Sequence, residues 1–192
     1  MPPPARVLDL TYGEGRSWPK VQKQTLDGNY DTVFMDVDKS LPNLDVVEDI
    51  KNLSSFQPLL GRFNAVYYDP PWSFSDVIHQ RHLNGGIDYH RPKQQLHYDL
   101  GKKVFSQEEF YTQLDVINSN ILNLLEDGGK LIVKIMGTRL SGSLILNHVT
   151  VVQKLTNLKV IDVIIFCLYN RVLRYKSYTQ MAHGYFLIFQ RR

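Results

Sequence analysis

The apolar run Asn64-Ala65-Val66-Tyr67-Tyr68 stops in Asp69-Pro70-Pro71-Trp72. A carboxylate, two residues without N–H groups and a flat aromatic ring thus stand together at its end. Such a set accepts hydrogen bonds through the carboxylate and bare carbonyls, and stacks on a planar ligand. A second constellation lies near the start, Asp9-Leu10-Thr11-Tyr12-Gly13-Glu14-Gly15, followed by Arg16-Ser17-Trp18. Two glycines one residue apart allow a tight turn and a close backbone approach by a ligand. A third is acidic, where Asp36 and Asp38 close another apolar stretch. A proline-terminated strand plugged by Trp72, and acids that merely end strands, would use the same residues.

The elements that position these groups follow from hydrophobic pattern. Runs rich in β-branched and aromatic residues predict strands over 6–10, 32–38, 46–50, 63–68, 130–136, 160–169 and 185–189. The prolines end the fourth strand at Asp69, because they cannot continue a ladder. Residues 19–29 read as a short helix or an irregular connection. Ser106 and Glu109 have capping-box spacing, and Phe110, Leu114, Ile117, Ile121, Leu124 and Leu125 recur with helical period until Asp127-Gly128-Gly129. A second helical pattern covers 143–157. The last two strands are joined by about fifteen residues without helical period, which favours an antiparallel pair. The expected fold is α/β: a seven-stranded, mostly parallel sheet with one antiparallel strand and helices on both faces. The acids and the glycine turn then share the C-terminal edge of the strands, where open α/β sheets bind ligands.

Composition narrows the classes. A chain of 192 residues with net charge +3 fits one ordinary globular domain over 1–192. No acidic residue follows Asp162, whereas Arg171, Arg174, Lys176, Arg191 and Arg192 do, a weak pointer to a polyanion. The single cysteine, Cys167, lies in an apolar run, so a buried structural thiol and a reducing cytosol are expected. No leader, membrane-spanning run or repeat is evident, and a cytoplasmic location follows. Residues 73–106 lack clear period and carry Gly85-Gly86 and the histidines His79, His82, His90 and His97, as a substrate-facing insertion or lid would.

With its glycine turn after the first strand, acids closing the second and Asp69-Pro70-Pro71-Trp72 closing the fourth, the chain resembles S-adenosylmethionine-dependent amino-methyltransferases. More narrowly it resembles those that modify adenine N6 or cytosine N4 in DNA. Lys134-Ile135-Met136 and His183-Gly184-Tyr185-Phe186-Leu187-Ile188-Phe189 are similar to the same enzymes, so the likeness spans nearly the whole chain. The resemblance implies a Rossmann-like class I methyltransferase fold, S-adenosylmethionine as cofactor, no metal, and nucleic acid as partner, DNA ahead of RNA. It places Asp9, Leu10, Thr11, Tyr12, Gly13, Gly15 and Trp18 around the methionine part of the cofactor. It places Asp36 and Val37 at its ribose, and Asp49 and Ile50 at its adenine. Asp69, Pro70, Pro71 and Trp72 become the catalytic tetrad, with Asp69 also bordering the cofactor.

The chemistry of the tetrad supports that role independently. The lone pair of an exocyclic base amine is delocalised into the ring, which makes the nitrogen a poor nucleophile. A carboxylate and a carbonyl accepting its two N–H bonds favour a pyramidal nitrogen, and Trp72 offers a stacking surface worth roughly 1–3 kcal/mol. Nucleic-acid contacts are expected from Arg81, Arg91 and Lys93 in the insertion and from Arg171, Arg174 and Lys176 in the last connection. Lys134 either touches substrate or pairs with a strand-end acid.

Departures from the family pattern remain. Many members carry Phe at the position of Thr11, and a covering helix before the first strand is expected to be reduced to a proline-rich stub. No separate recognition domain is evident, which leaves room for a homodimer or a separate recognition subunit. Other readings weigh less. A nicotinamide dehydrogenase would want a third glycine where Trp18 stands, and the four histidines lack paired metal-ligand spacing. An RNA base amino-methyltransferase and a non-catalytic subunit of a methyltransferase pair use the same features.

Overall fold

The computed structural model describes residues 4–13, 17–18, 30–71, 106–140, 143–167 and 183–191. Its strands are β1 (Ala5–Asp9), β2 (Tyr30–Asp36), β3 (Val46–Val47), β4 (Phe63–Tyr68), β5 (Leu125–Ile135), β6 (Thr138–Leu140), β7 (Ser143–Ile145), β8 (Leu158–Cys167) and β9 (His183–Arg191). The helices are α1 (Leu53–Leu60), α2 (Gln107–Leu124) and α3 (Asn147–Lys154). Seven strands form one sheet in the order β3-β2-β1-β4-β5-β9-β8, and β6 and β7 form a separate hairpin. β9 runs antiparallel to both its neighbours, while β1 to β5 pair in parallel. This is the sheet expected from the sequence, with β9 as the one reversed strand.

Alternation along the strands separates two faces. Leu8, Val66, Leu131 and Phe189 are register partners, and two residues further along β4, β5 and β9 stand Tyr68, Val133 and Leu187. All seven are at most 2% exposed and pack with Leu53 of α1, Phe110, Leu114, Ile117 and Ile121 of α2, and Val151 of α3. α2 starts where expected: Ser106 Oγ accepts from Glu109 N–H, and Glu109 returns a carboxylate oxygen to Ser106 N–H.

Several boundaries differ from the expectation. The third strand ends at Val47 rather than Ile50, because Asp49 caps a 3-10 turn over Ile50–Asn52 that runs into α1. α1 itself was not expected: it is short, contains Pro58 and buries only Leu53. Asp127-Gly128-Gly129 does not end a helix. α2 stops at Leu124, and the glycines sit in a bulge of β5, where Phe63 pairs with Leu125 but Ala65 with Lys130. The helix expected over 143–157 is only Asn147–Lys154, because β7 takes the start of that stretch. Cys167 is exposed rather than buried, since it ends β8 at the border of the sheet, where Ile161, Val163, Ile164 and Ile165 are also exposed.

Candidate functional site

β1 and β4 lie side by side at the centre of the sheet, and their C-terminal ends are level. Asp9 is opposite Phe34 on one side and Tyr67 on the other, and Tyr67 is opposite Ile132. These four residues form one row on the face away from α1, α2 and α3. Tyr68 pairs with Val133, so Asp69 and Lys134 fall level with each other, on the same face and one step beyond the ladder.

From the end of β1 the chain stays tied to both neighbours before it turns. Leu10 N–H donates to Tyr67 O at 3.0 Å and Tyr12 N–H to Met35 O at 3.0 Å. Gly13 then takes φ +58°, a conformation that costs other residues roughly 1–2 kcal/mol. Its N–H donates to Asp36 Oδ2 at 2.9 Å, while Asp36 Oδ1 accepts from Asp38 N–H at 2.9 Å. Asp36 therefore holds the glycine turn against the end of β2.

Three donors converge on one oxygen of Asp69. Lys134 Nζ lies 2.7 Å from Oδ2, Ser17 Oγ donates to it at 3.1 Å, and the Tyr67 hydroxyl makes a longer 3.4 Å contact. Ser17 Oγ and Tyr67 Oη are themselves 3.0 Å apart. Burial, reinforced by the negative charge of Asp69, raises the Tyr67 hydroxyl pKa well above its usual value, so it remains a donor. The main-chain N–H of Asp69 donates to Thr11 Oγ1 at 2.7 Å. Of the two roles open to Lys134, the structure shows the ion pair with a strand-end acid.

Asp9 is fully buried beneath the turn. Its Oδ1 accepts from Thr11 N–H at 2.9 Å and its Oδ2 from Trp18 Nε1 at 2.6 Å. The Trp18 ring meets Phe34 and Tyr67 edge-on, at 5.8 and 6.1 Å between centroids, and so spans the row above Asp9. Burial pushes the Asp9 carboxyl up to about 7; the Trp18 and Thr11 hydrogen bonds oppose this, and the charges of Asp69 and Asp36 add to it. The ends of β1, β2 and β4 thus bring the charges of Asp36 and Asp69 near enough to oppose ionisation of Asp9, which a bound cation would favour.

Asp49 caps the 3-10 turn: Oδ1 accepts from Lys51 N–H at 3.0 Å and Oδ2 pairs with Lys51 Nζ at 3.2 Å. Ile50 is packed in the core, whereas Val37, next to Asp36, is 66% exposed. Glu48 N–H donates to Asp36 O at 3.1 Å, which brings this segment beside the acid. Pro70 is buried and Pro71 half-buried directly after Asp69. Gly15, Trp72, Arg81, Arg91, Lys93, Arg171, Arg174 and Lys176 lie outside the described residues, as do residues 73–105, with their four histidines, and the 170–182 connection. Among the described residues no group of three or more His, Cys, Asp or Glu is placed to hold a metal ion, and no described helix is long and apolar enough to cross a membrane.

Ser17 and Tyr67 were not singled out by sequence pattern. Tyr67 reads as one more aromatic of a buried strand, yet its spacing of two from Asp69 already puts both on one face. Nothing local marks Ser17, whose role depends on the chain folding back over the sheet edge.

No family model and no curated protein matches the chain. Solved structures do. TrmN from Thermus thermophilus superposes with TM-score 0.55 at 14% identity, over 99% of this chain and 45% of its own. The fibrillarin pre-rRNA processing protein of Methanococcus jannaschii gives 0.53 at 11% identity, over 99% and 68%. SMU.776, a candidate methyltransferase solved with SAH, gives 0.52 at 15% identity, over 96% and 45%. The chain therefore spans less than half the length of two of these three proteins. The strand order, the reversed β9 and these likenesses define the class I methyltransferase fold.

Proposed function

We propose that the chain is an S-adenosylmethionine-dependent methyltransferase acting on an exocyclic amine of a nucleic-acid base, with adenine N6 or cytosine N4 of DNA as the first assignment. The observation that carries this is the placement of Asp69, at the end of β4, against the glycine turn at the end of β1. An acceptor for an amine and a loop suited to a methyl donor then share one sheet edge.

The residues present fit the cofactor. Its ammonium and sulfonium charges suit the end of β1, where burial, with the charges of Asp69 and Asp36, raises the Asp9 carboxyl to about 7. Asp9 and the backbone around Gly13 would hold the methionine part, with Asp36 and Val37 toward the ribose. When bound, S-adenosylmethionine supplies an electrophilic methyl group.

The chain's own residues do the rest. Asp69 and the Pro70 carbonyl accept the two amine N–H bonds and aim the lone pair away from the base ring. Lys134, Ser17 and the Tyr67 hydroxyl steady Asp69 through Oδ2. Trp72 stacks on the base, and a duplex substrate has to flip that base out of its helix. Catalysis then rests on alignment of the reacting atoms, and the proton that the amine sheds leaves through the Asp69 carboxylate.

The deciding experiment incubates the protein with radiolabelled S-adenosylmethionine and, separately, DNA of varied sequence, tRNA and rRNA, then digests the products to nucleosides. Labelled N6-methyladenine or N4-methylcytosine from DNA is the expected result. Label confined to RNA would transfer the assignment to an RNA base amine. Cofactor binding without label in any acceptor would favour the non-catalytic subunit.

A further inference from the structure

We propose that Thr11 is a positioning residue whose hydroxyl fastens the amine-holding elbow to the cofactor turn and so sets the alignment of donor and acceptor. The proposal rests on the methyl-transfer reading above. It begins with a count of donors. In Asp69-Pro70-Pro71 the prolines carry no N–H, so the Asp69 N–H is the single main-chain donor by which this elbow can be tied down.

The ladder between β1 and β4 would not hold that donor by itself. Its last backbone rung runs from Leu10 N–H to Tyr67 O. In a parallel pair the next rung would run from Asp69 N–H to the Leu10 carbonyl. The bond present goes instead to Thr11 Oγ1, at 2.7 Å. The side chain thus extends the pairing by one step, at the point where β1 turns toward Gly13 and β4 turns into the prolines.

Thr11 also reaches the other half of the site. Its own N–H donates to Asp9 Oδ1 at 2.9 Å, and Asp9 Oδ2 accepts from Trp18. One residue therefore links the carboxylate that faces the amine to the carboxylate that faces the cofactor's positive charge. Valine has nearly the same shape but no acceptor, so it leaves the Asp69 N–H unfastened. Serine keeps the hydroxyl.

The test compares wild type, Thr11→Val and Thr11→Ser by steady-state methyl transfer and by amide hydrogen exchange at Asp69. Misplacement by about 1 Å costs around a hundredfold, so Thr11→Val should lower kcat by about 10- to 100-fold. KM for S-adenosylmethionine should stay within about threefold, and the Asp69 amide should lose its protection. Thr11→Ser should restore both kcat and protection. If the Val variant does not fold, Thr11→Ala replaces it, removing the hydroxyl without adding bulk.

A Ser variant as slow as the Val variant, or a Val variant with wild-type kcat and a protected Asp69 amide, overturns the proposal. Absence of turnover in the wild type defeats the methyl-transfer reading instead. The exchange measurement still decides on Thr11 in that case: protection lost in the Val variant and kept in the Ser variant supports the tie, and equal protection in all three refutes it.

Discussion

On one face of the sheet, Leu8, Val66, Tyr68, Leu131, Val133, Leu187 and Phe189 are sealed under three helices. On the other face, β1, β2 and β5 carry Asp9, Phe34 and Lys134, and β4 carries Tyr67 with Asp69 just beyond its end. Neighbouring residues such as Tyr67 and Tyr68 therefore serve opposite ends. Tyr68 is fully buried and donates its hydroxyl to Gln113 Oε1 of α2 at 2.7 Å, whereas the Tyr67 hydroxyl meets Ser17 and Asp69. The first face gains stability by excluding water from apolar surface. The second holds charges and hydrogen-bonded side chains at the strand ends, including a buried carboxyl that opposes folding once it ionises. The difference teaches that stability and chemistry are divided by strand parity more than by position along the chain.

Breaking that division at its strongest point gives the largest effect. On the proposed reading, Asp69→Ala removes the amine acceptor and should lower methyl transfer by about 10³-fold, while circular dichroism and cooperative melting are retained. Loss of the cooperative transition would instead make Asp69 a structural acid and blur the distinction between the faces.

A smaller effect is expected from pH, and its sign follows from the raised pKa of Asp9. With a folded value of about 7, its protonated form contributes stability in full below about pH 4, and that contribution is lost as the pH rises through 7. A bound cation favours the ionised form, so affinity for S-adenosylmethionine should rise by up to about tenfold per pH unit between about 5.5 and 7, then level off. Titration calorimetry across that range should show the slope in the wild type and a flat profile in Asp9→Asn. The melting temperature of the variant relative to wild type should climb over the same interval. An equal slope in both proteins would assign the proton to another group.

The smallest and sharpest comparison is between adjacent tyrosines. Tyr67→Phe should lower turnover severalfold, because one of the donors to Asp69 is lost, and leave the unfolding midpoint in urea nearly unchanged. Tyr68→Phe leaves Gln113 Oε1 without that donor, should cost about 1 kcal/mol in urea unfolding and should leave turnover intact. The reverse pattern would dissolve the contrast between the two faces.

Much of this was readable in the chain. Strong apolar periods located β1, β2, β4, β8, β9 and α2, and a connection without helical period foretold the reversed β9. Shorter signals failed where tertiary context overrode them. Val46-Val47-Glu48-Asp49-Ile50 continues as a strand by composition, but the Asp49 side chain caps a turn and ends it. Gly128-Gly129 reads as a helix stop, yet the pairing of Phe63 with Leu125 draws the chain into β5 three residues earlier. Cys167 belongs to an apolar run whose residues are exposed because β8 has a strand partner on one side only among the described residues.

By itself the sequence determined that β4 must end at Asp69, that its elbow has a single main-chain donor, and that Tyr67 shares a face with Asp69. Each follows from covalent chemistry or strand parity and needs no long-range contact. Only the tertiary structure decided what those groups meet: Thr11 Oγ1 at the Asp69 N–H, Lys134 and Ser17 at its carboxylate, and Trp18 over Asp9. It also raised the Asp9 carboxyl to about 7, because desolvation and the field of neighbouring carboxylates exist only once distant segments are packed together.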